Sequence, residues 1–165
     1  MKTSLIKGLQ VGNLVAVVIM FVVNMLSNAL PLNGKTAGEL SDALPNYFVP
    51  AGFVFSIWGV IYVLQFMFGF YQVRPQATSQ GFIARVGPWS IVANSANALW
   101  LFAWHWQLVP LSLAFMIILL VALLFQHVRL GIGSPGKQVS RGERWYVHLP
   151  VSVYLGWISS RPLRT

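Results

Sequence analysis

The chain alternates between long stretches without any charged residue and short clusters of charge. The uncharged stretches cover residues 8–34, 43–73, 86–128 and 145–160. Only 8% of the 165 residues are charged and 56% are hydrophobic, whereas about one residue in four is charged in an average soluble protein. A helix needs roughly 20 apolar residues to cross the hydrocarbon core of a bilayer. The pattern therefore predicts membrane-spanning helices.

Five helices account for these stretches, because the third stretch can hold two helices joined by a tight turn over residues 104–110. The predicted helices cover residues 9–30, 50–71, 86–106, 108–128 and 145–160. The last of these would rise only roughly 24 Å. We therefore expect it to be incomplete, as after a truncation or a shifted reading frame, and to be followed by an irregular tail over 161–165.

Helices are the expected structure, because backbone groups in lipid must form their hydrogen bonds internally. The alternation of apolar and polar residues that is typical of a β-barrel is absent from the sequence. We predict an all-α fold, a polytopic membrane helix bundle with four complete transmembrane helices and an incomplete fifth. The whole chain, residues 1–165, is expected to form a single membrane domain.

Positive charge is concentrated on one side of this predicted topology. The residues concerned are Lys2, Lys7, Arg74, Arg85, Arg129, Lys137, Arg141 and Arg144. Cytoplasmic loops of membrane proteins carry an excess of lysine and arginine, so we expect a multi-pass protein of the cell membrane, as in a bacterial inner membrane, with a cytoplasmic N-terminus. Contact with anionic membrane lipid explains the net charge of +8, and no nucleic-acid partner is expected.

Aromatic and amide residues fall on common faces of the predicted helices. A proline-bounded aromatic loop before the second helix contains Pro45, Tyr47, Phe48 and Pro50. Helical spacing aligns Phe55, Trp58 and Tyr62 on the second helix, Asn97, Trp100 and Trp104 on the third, and Asn13, Asn24, Ser27 and Asn28 on the first. The aromatic faces suit stacking on a flat ligand, and the polar face of the first helix is expected to point into the bundle interior. For any one face alone, helix packing with buried hydrogen bonds is the simpler interpretation.

Several of these motifs resemble the tryptophan-rich sensory protein family, also called the translocator or peripheral-type benzodiazepine receptor family. The resemblance extends nearly to Ile158. It is carried by Pro45, Tyr47, Pro50, Trp58 and Tyr62, by Asn97, Trp100 and Phe102, and by Pro150 and Tyr154. The chain departs from the family at Tyr47, where tryptophan is usual, and at Val49, where a second proline is usual.

The resemblance implies a five-helix bundle whose first outer loop covers a pocket between the helices, often in a homodimer. Porphyrins, haem-like tetrapyrroles and sterol-like lipids are the hydrophobic small-molecule ligands that it implies. Together with the aromatic faces, it predicts a ligand site made of Pro45, Tyr47, Phe48, Pro50, Phe55, Trp58, Tyr62, Asn97, Trp100, Trp104 and Tyr154. No catalytic residue, metal site or required cofactor is expected, although porphyrin or haem could bind as the ligand.

Three alternatives remain at the level of sequence. A tetrapyrrole-degrading enzyme would need chemistry that the dispersed histidines and acids do not suggest, although His105 could in principle ligate a metalloporphyrin. A structural or assembly subunit would use its aromatic residues for packing and for interfacial belts, as expected of Trp89, Trp106 and Trp145. If the missing part of the fifth helix lines the pocket, the chain could also be a non-functional truncated copy.

Overall fold

The computed structural model describes residues 3–30, 32–35, 39–40, 56–75, 77 and 81–160. Every regular element in these ranges is helical, which confirms the predicted all-α class for this part of the chain. The helices are α1 (Thr3–Ala29), α2 (Ile57–Gln72), α3 (Phe82–Val86), α4 (Trp89–His105), α5 (Val109–Leu130), α6 (Arg141–Glu143) and α7 (Leu149–Ser160). A 3-10 turn at Leu32–Gly34 and a π-helical turn at Arg144–His148 complete them.

Two of the helices are long and apolar enough to cross a membrane. They are α1, over Thr3–Ser27, and α5, over Val109–Leu130. Helix α2 is also apolar, but it is shorter. Large apolar side chains such as Ile19, Leu113 and Ile117 face outward and are exposed, as is typical of a surface that contacts lipid. The first and fourth predicted spans thus correspond to helices of sufficient length, and four complete spans stay a prediction.

Five helices pack side by side in a closed ring. Helix α1 contacts α2 and α4, α5 contacts α4 and α7, and α7 contacts α2. Helices α4 and α5 form a hairpin, and Gln107 turns the chain between them with a φ of 55°. We call the end of the bundle with this turn the hairpin end. The opposite end, which carries the segment 131–140, is the loop end.

The last helical stretch begins earlier than the predicted start at residue 145. The Ser140 hydroxyl accepts a hydrogen bond from the backbone N–H of Glu143 at 3.0 Å, which caps the first turn of α6. The helix then continues through the π-helical turn into α7. The sequence pattern placed the start too late because charge marks the membrane boundary, whereas a capping residue marks the beginning of a helix. The predicted tail, 161–165, lies outside the described residues.

The same distinction explains the other differences in helix bounds. Helix α1 begins at Thr3, ahead of the uncharged stretch that predicted a start at residue 9. The predicted helix 86–106 is interrupted at Gly87, whose φ of 57° ends α3, and α4 begins at Trp89. A positive φ is readily adopted by glycine and ends a helix.

Buried apolar side chains form two clusters inside the ring. The cluster toward the hairpin end includes Trp58, Trp100, Leu119 and Tyr154. The cluster toward the loop end includes Phe68, Phe82, Leu130 and Val147. Both clusters thus contain aromatic residues. The two buried tryptophans, Trp58 and Trp100, belong to the cluster toward the hairpin end.

Candidate functional site

Aromatic side chains from three different helices meet inside the ring near the hairpin end. They are Trp58 of α2, Trp100 of α4 and Tyr154 of α7, and all three are buried. The ring centroids of Trp58 and Trp100 are 5.4 Å apart, with an angle of 23° between the planes. Tyr154 meets Trp58 edge to face, with centroids 5.9 Å apart and an angle of 82°. Both arrangements are favoured by the charge distribution of aromatic rings.

Two further rings extend this stack in both directions. Tyr62 lies one turn along α2 from Trp58, with ring centroids 5.8 Å apart. Trp104 lies one turn along α4 from Trp100, with centroids 6.2 Å apart. Residues four apart on a helix lie on one face, so each helix contributes two neighbouring rings. We call the row Tyr62, Trp58, Trp100 and Trp104 the aromatic ladder. Its end members, Tyr62 and Trp104, are half-buried.

A pair of buried amides borders the aromatic ladder on the side away from the hairpin end. Asn24 Nδ2 of α1 donates to Asn97 Oδ1 of α4 at 2.9 Å and also to the carbonyl of Met20 at 2.8 Å. The Tyr62 hydroxyl donates to Asn24 Oδ1. One end of the aromatic ladder is thus joined to α1 and α4 by hydrogen bonds that bridge three helices.

This arrangement determines which atom of Asn97 remains for another contact. Both donors of Asn24 are directed at oxygen atoms, so Asn97 must present its Oδ1 to Asn24. Asn97 is fully buried, and no acceptor for its Nδ2 group is found within the part of the chain that the structure describes. A buried donor without an acceptor costs about 1–3 kcal/mol. A ligand oxygen beside the aromatic ladder would remove this cost.

Five of the predicted site residues lie outside the described residues. They are Pro45, Tyr47, Phe48, Pro50 and Phe55. The other six, which belong to α2, α4 and α7, are placed at the hairpin end. Trp58, Tyr62, Trp100, Trp104 and Tyr154 share ring contacts, and Asn97 is linked to Tyr62 through Asn24.

Two residues of this site were not among the predicted site residues. Asn24 had been expected only to face the bundle interior, and its link to Tyr62 depends on how α1 and α2 are rotated against each other. Trp157 contacts Trp58 edge to face, with centroids 6.3 Å apart. Its position three residues after Tyr154 places both side chains on one face of α7, and this spacing is a signal that could have identified it.

The tryptophans expected at membrane boundaries differ from one another. Trp106 and Trp145 are exposed, as interfacial anchors would be. Trp89 instead stacks on Phe125 of α5, with centroids 4.4 Å apart and an angle of 6° between the planes. Trp89 therefore joins α4 to α5, and none of the three has a ring contact with the aromatic ladder among the contacts of the described residues.

Charged groups occupy the loop end. Arg85 Nη2 lies 2.6 Å from Glu143 Oε1, and His148 Nε2 lies 3.3 Å from the same oxygen. Glu143 is buried, so this ion pair neutralises a carboxylate inside the protein. Among residues 3–30, 32–35, 39–40, 56–75, 77 and 81–160, no group of three or more potential metal ligands is found.

Comparison with protein families identifies one match that covers most of the chain. The model of the family described as TSPO-like protein matches residues 10–161. Comparison with characterised proteins and with solved structures gave no significant match. The matched segment contains the aromatic ladder, the amide pair and the ion pair at the loop end.

Proposed function

The chain belongs to the TSPO-like protein family, and we propose that it is a membrane sensor or translocator that binds a planar hydrophobic ligand on the aromatic ladder. Porphyrins, haem-like tetrapyrroles and sterol-like lipids are flat, apolar and large enough to contact several rings at once. The ligand lies at the hairpin end, between α2, α4 and α7. Membership of the family and the apolar outward-facing helices support the placement of this site within a membrane.

The observation that carries the proposal is the aromatic ladder itself. Its four rings follow one another at centroid distances of 5.8, 5.4 and 6.2 Å. Stacking on such rings contributes about 0.5–1.5 kcal/mol per pair beyond the burial of area. Tyr62 and Trp104 are half-buried, so the ends of the row are where a flat ligand first finds a partly exposed ring. Helix packing alone explains buried rings but does not require the row to end in partly exposed ones.

The amide pair gives the ligand an orientation. A carbonyl or carboxylate at the edge of the ligand accepts a hydrogen bond from Asn97 Nδ2, while the Tyr62 and Asn24 groups remain bonded to each other. A hydrogen bond to a charged group contributes about 1.5–3 kcal/mol. Porphyrins that carry carboxylates offer both a flat surface and a hydrogen-bond acceptor. The macrocycle stacks on the aromatic ladder, and a carboxylate at its edge accepts from Asn97 Nδ2.

The segment before α2 covers the bound ligand in this proposal. The sequence places Pro45, Tyr47, Phe48, Pro50 and Phe55 just ahead of Trp58. In this proposal, the aromatic rings of Tyr47, Phe48 and Phe55 exclude water from the site. A ligand that binds the closed arrangement better shifts the population toward it, which couples occupancy to sensing or transfer. We further propose that the hairpin end faces away from the cytoplasm, that the N-terminus is cytoplasmic and that two copies can associate as a homodimer.

The test compares two tryptophans that lie two residues apart. Trp104→Ala removes one end of the aromatic ladder, whereas Trp106→Ala removes an outward-facing ring and serves as the matched control. The full chain in lipid nanodiscs is titrated with a fluorescent porphyrin. We expect Trp104→Ala to weaken binding about two- to tenfold, the value of one stacking contact, and Trp106→Ala to bind as the parent does. Equal affinities in all three proteins would contradict the proposal.

Tetrapyrrole breakdown is the alternative in which the same site performs chemistry. Proteins of the TSPO-like family are generally non-enzymatic. In oxidative breakdown under light, dioxygen would be the oxidant, and the stacked Trp58 and Trp100 would exchange electrons with the excited porphyrin. Mass spectrometry of the porphyrin recovered after illumination and in the dark separates the two functions, because binding returns the porphyrin unchanged.

A further inference from the structure

A second site lies at the loop end, far along the bundle from the aromatic ladder. A cavity of about 430 Å³ is lined there by Arg85, Lys137, Gln138, Val139, Ser140 and Glu143. Two cationic side chains and one carboxylate therefore border the same space. The aromatic ladder contributes no residue to it, so its function is independent of the function proposed above.

Positive charge is left in excess in this cavity. Among the described residues that line the cavity, the one carboxylate is that of Glu143, and Arg85 holds it at 2.6 Å. Both cations also converge on one carbonyl oxygen at the end of α5, because Arg85 Nη1 lies 3.4 Å from Leu130 O and Lys137 Nζ donates to the same atom. Two like charges that share one neutral acceptor repel each other. An anion in the cavity would relieve this repulsion.

Lys137 is an exposed residue whose ammonium group folds back onto the end of α5. Gly131 ends α5 with a φ of 65°, and a methyl group at this position would lie 2.5 Å from Lys137 Nζ and 2.9 Å from its Cδ. The lysine side chain thus folds across the glycine at the end of α5. Its ammonium group carries three donors, and one of them is used by the Leu130 carbonyl. The ammonium thus lies at the edge of the cavity with two donors left for an anion.

The residues that follow the cavity along the chain are of the types found at the depth of lipid headgroups. The cavity lies where α5 ends and α6 begins, and Arg141, Arg144 and Trp145, which come next in the sequence, are exposed. Exposed tryptophan and clustered arginine are typical of the boundary between membrane and water. Basic pockets between helices at this boundary bind anionic headgroups. The phosphate of such a headgroup fits Lys137, Arg85 and the Ser140 hydroxyl as donors.

From this geometry we infer that the cavity at the loop end binds the phosphate-bearing headgroup of an anionic phospholipid. Lys137 and Arg85 neutralise the phosphate, and Ser140 donates a further hydrogen bond to it. Glu143 remains paired with Arg85 and so holds the guanidinium at the rim of the cavity. The acyl chains of the lipid lie along the outward-facing apolar surface of the neighbouring helices.

Lys137→Gln is the decisive variant, because it removes one cation from the cavity and leaves the buried Arg85–Glu143 pair in place. Arg144→Gln removes the same charge from an exposed position outside the cavity and is the matched control. Lys137→Arg keeps the charge and tests rescue. Each full-length protein is placed in nanodiscs that contain phosphatidylcholine with a small fraction of phosphatidylglycerol, and retained lipid is counted by native mass spectrometry. The measurement is repeated at high salt, which screens the general attraction of a basic surface for anionic lipid.

We expect Lys137→Gln to lower retention of phosphatidylglycerol about tenfold, the value of one charge-assisted hydrogen bond. Arg144→Gln should resemble the parent protein at high salt, and Lys137→Arg should recover most of the binding. Equal losses in Lys137→Gln and Arg144→Gln at high salt would overturn the inference, since the attraction would then be a general surface effect. Competition by millimolar inorganic phosphate without selective retention of phosphatidylglycerol would also overturn it, because free phosphate would then be the ligand.

Discussion

Among the described residues, two pairs of buried amide side chains bridge helices, one toward each end of the bundle. Toward the hairpin end, Asn24 and Asn97 join α1 to α4 at 2.9 Å. Toward the loop end, Asn13 Nδ2 donates to Gln72 Oε1 at 3.2 Å and joins α1 to α2. All four side chains are buried. The composition of the two pairs is nearly the same, and their surroundings are not.

The two pairs differ in which hydrogen-bonding atoms remain without a partner and in which side chains surround them. Among the described residues, Gln72 Nε2 and Asn13 Oδ1 both have no partner, so this pair offers one donor and one acceptor that a single water molecule can bridge. Asn97 has only a donor left over, and it stands beside four stacked rings. A buried polar pair is thus ordinary helix packing at the loop end. It becomes a candidate binding site only where an unused donor borders a row of aromatic rings whose ends are partly exposed.

The largest effect on stability is expected from loss of the ion pair between Arg85 and Glu143 at the loop end. Arg85→Gln leaves the buried Glu143 carboxylate without its 2.6 Å partner, and we expect the free energy of unfolding in detergent micelles to fall by about 3 kcal/mol. The control, Arg144→Gln, changes an exposed arginine and should shift it by less than about 0.5 kcal/mol. Porphyrin affinity of the folded Arg85→Gln protein should be unchanged. A parallel loss of affinity would show that the two ends do not act separately.

An intermediate effect is expected from matching substitutions in the two amide pairs. Asn97→Leu and Asn13→Leu each remove one side of a buried hydrogen bond, so both should lower the free energy of unfolding by about 2 kcal/mol. Only Asn97→Leu should weaken the binding of a porphyrin that carries carboxylates, because only this amide borders the aromatic ladder. Titration of both variants in nanodiscs checks this difference. Similar affinities of the two variants for porphyrin would remove the distinction between the two pairs.

The smallest effect concerns the tightness of packing at the loop end. A methyl group at Gly142 would lie 2.5 Å from the Tyr71 hydroxyl, whereas nothing lies within 4 Å of one at Gly156. We expect Gly142→Ala to lower the free energy of unfolding by about 1–2 kcal/mol through overpacking. Gly156→Ala should be neutral or slightly stabilising, because alanine is the better helix former. Thermal unfolding of both variants in the same detergent compares them, and a destabilised Gly156→Ala would contradict the packing described for α7.

The sequence predicted the helices better than their ends. Uncharged stretches locate the part of a helix that lies in lipid, and α5 at Val109–Leu130 is close to the predicted 108–128. The uncharged stretch misses the start at Arg141, because the first turn of this helix carries charges that mark the membrane boundary. Ser140 and Glu143 have the spacing of a capping box, so a signal for this start was present in the sequence.

The candidate site was predictable only in part, because its contacts combine local spacing with long-range register. Tyr62 follows Trp58 by four residues, and Trp104 follows Trp100 by four, so helical periodicity alone aligns each pair. The stacking of Trp58 on Trp100 joins two helices, and no local pattern determines it. The link from Tyr62 to Asn24 likewise depends on the rotation of α1 within the ring.

The most direct measurement of the central claim follows the side-chain amide signals of both pairs by nuclear magnetic resonance while a porphyrin is added to the full chain in micelles. We predict that the Asn97 NH₂ signals shift as the porphyrin binds, because this donor meets the ligand, and that the signals of Asn13 and Gln72 stay in place. Shifts at Asn13 and Gln72 without any at Asn97 would place the ligand at the loop end and contradict the account.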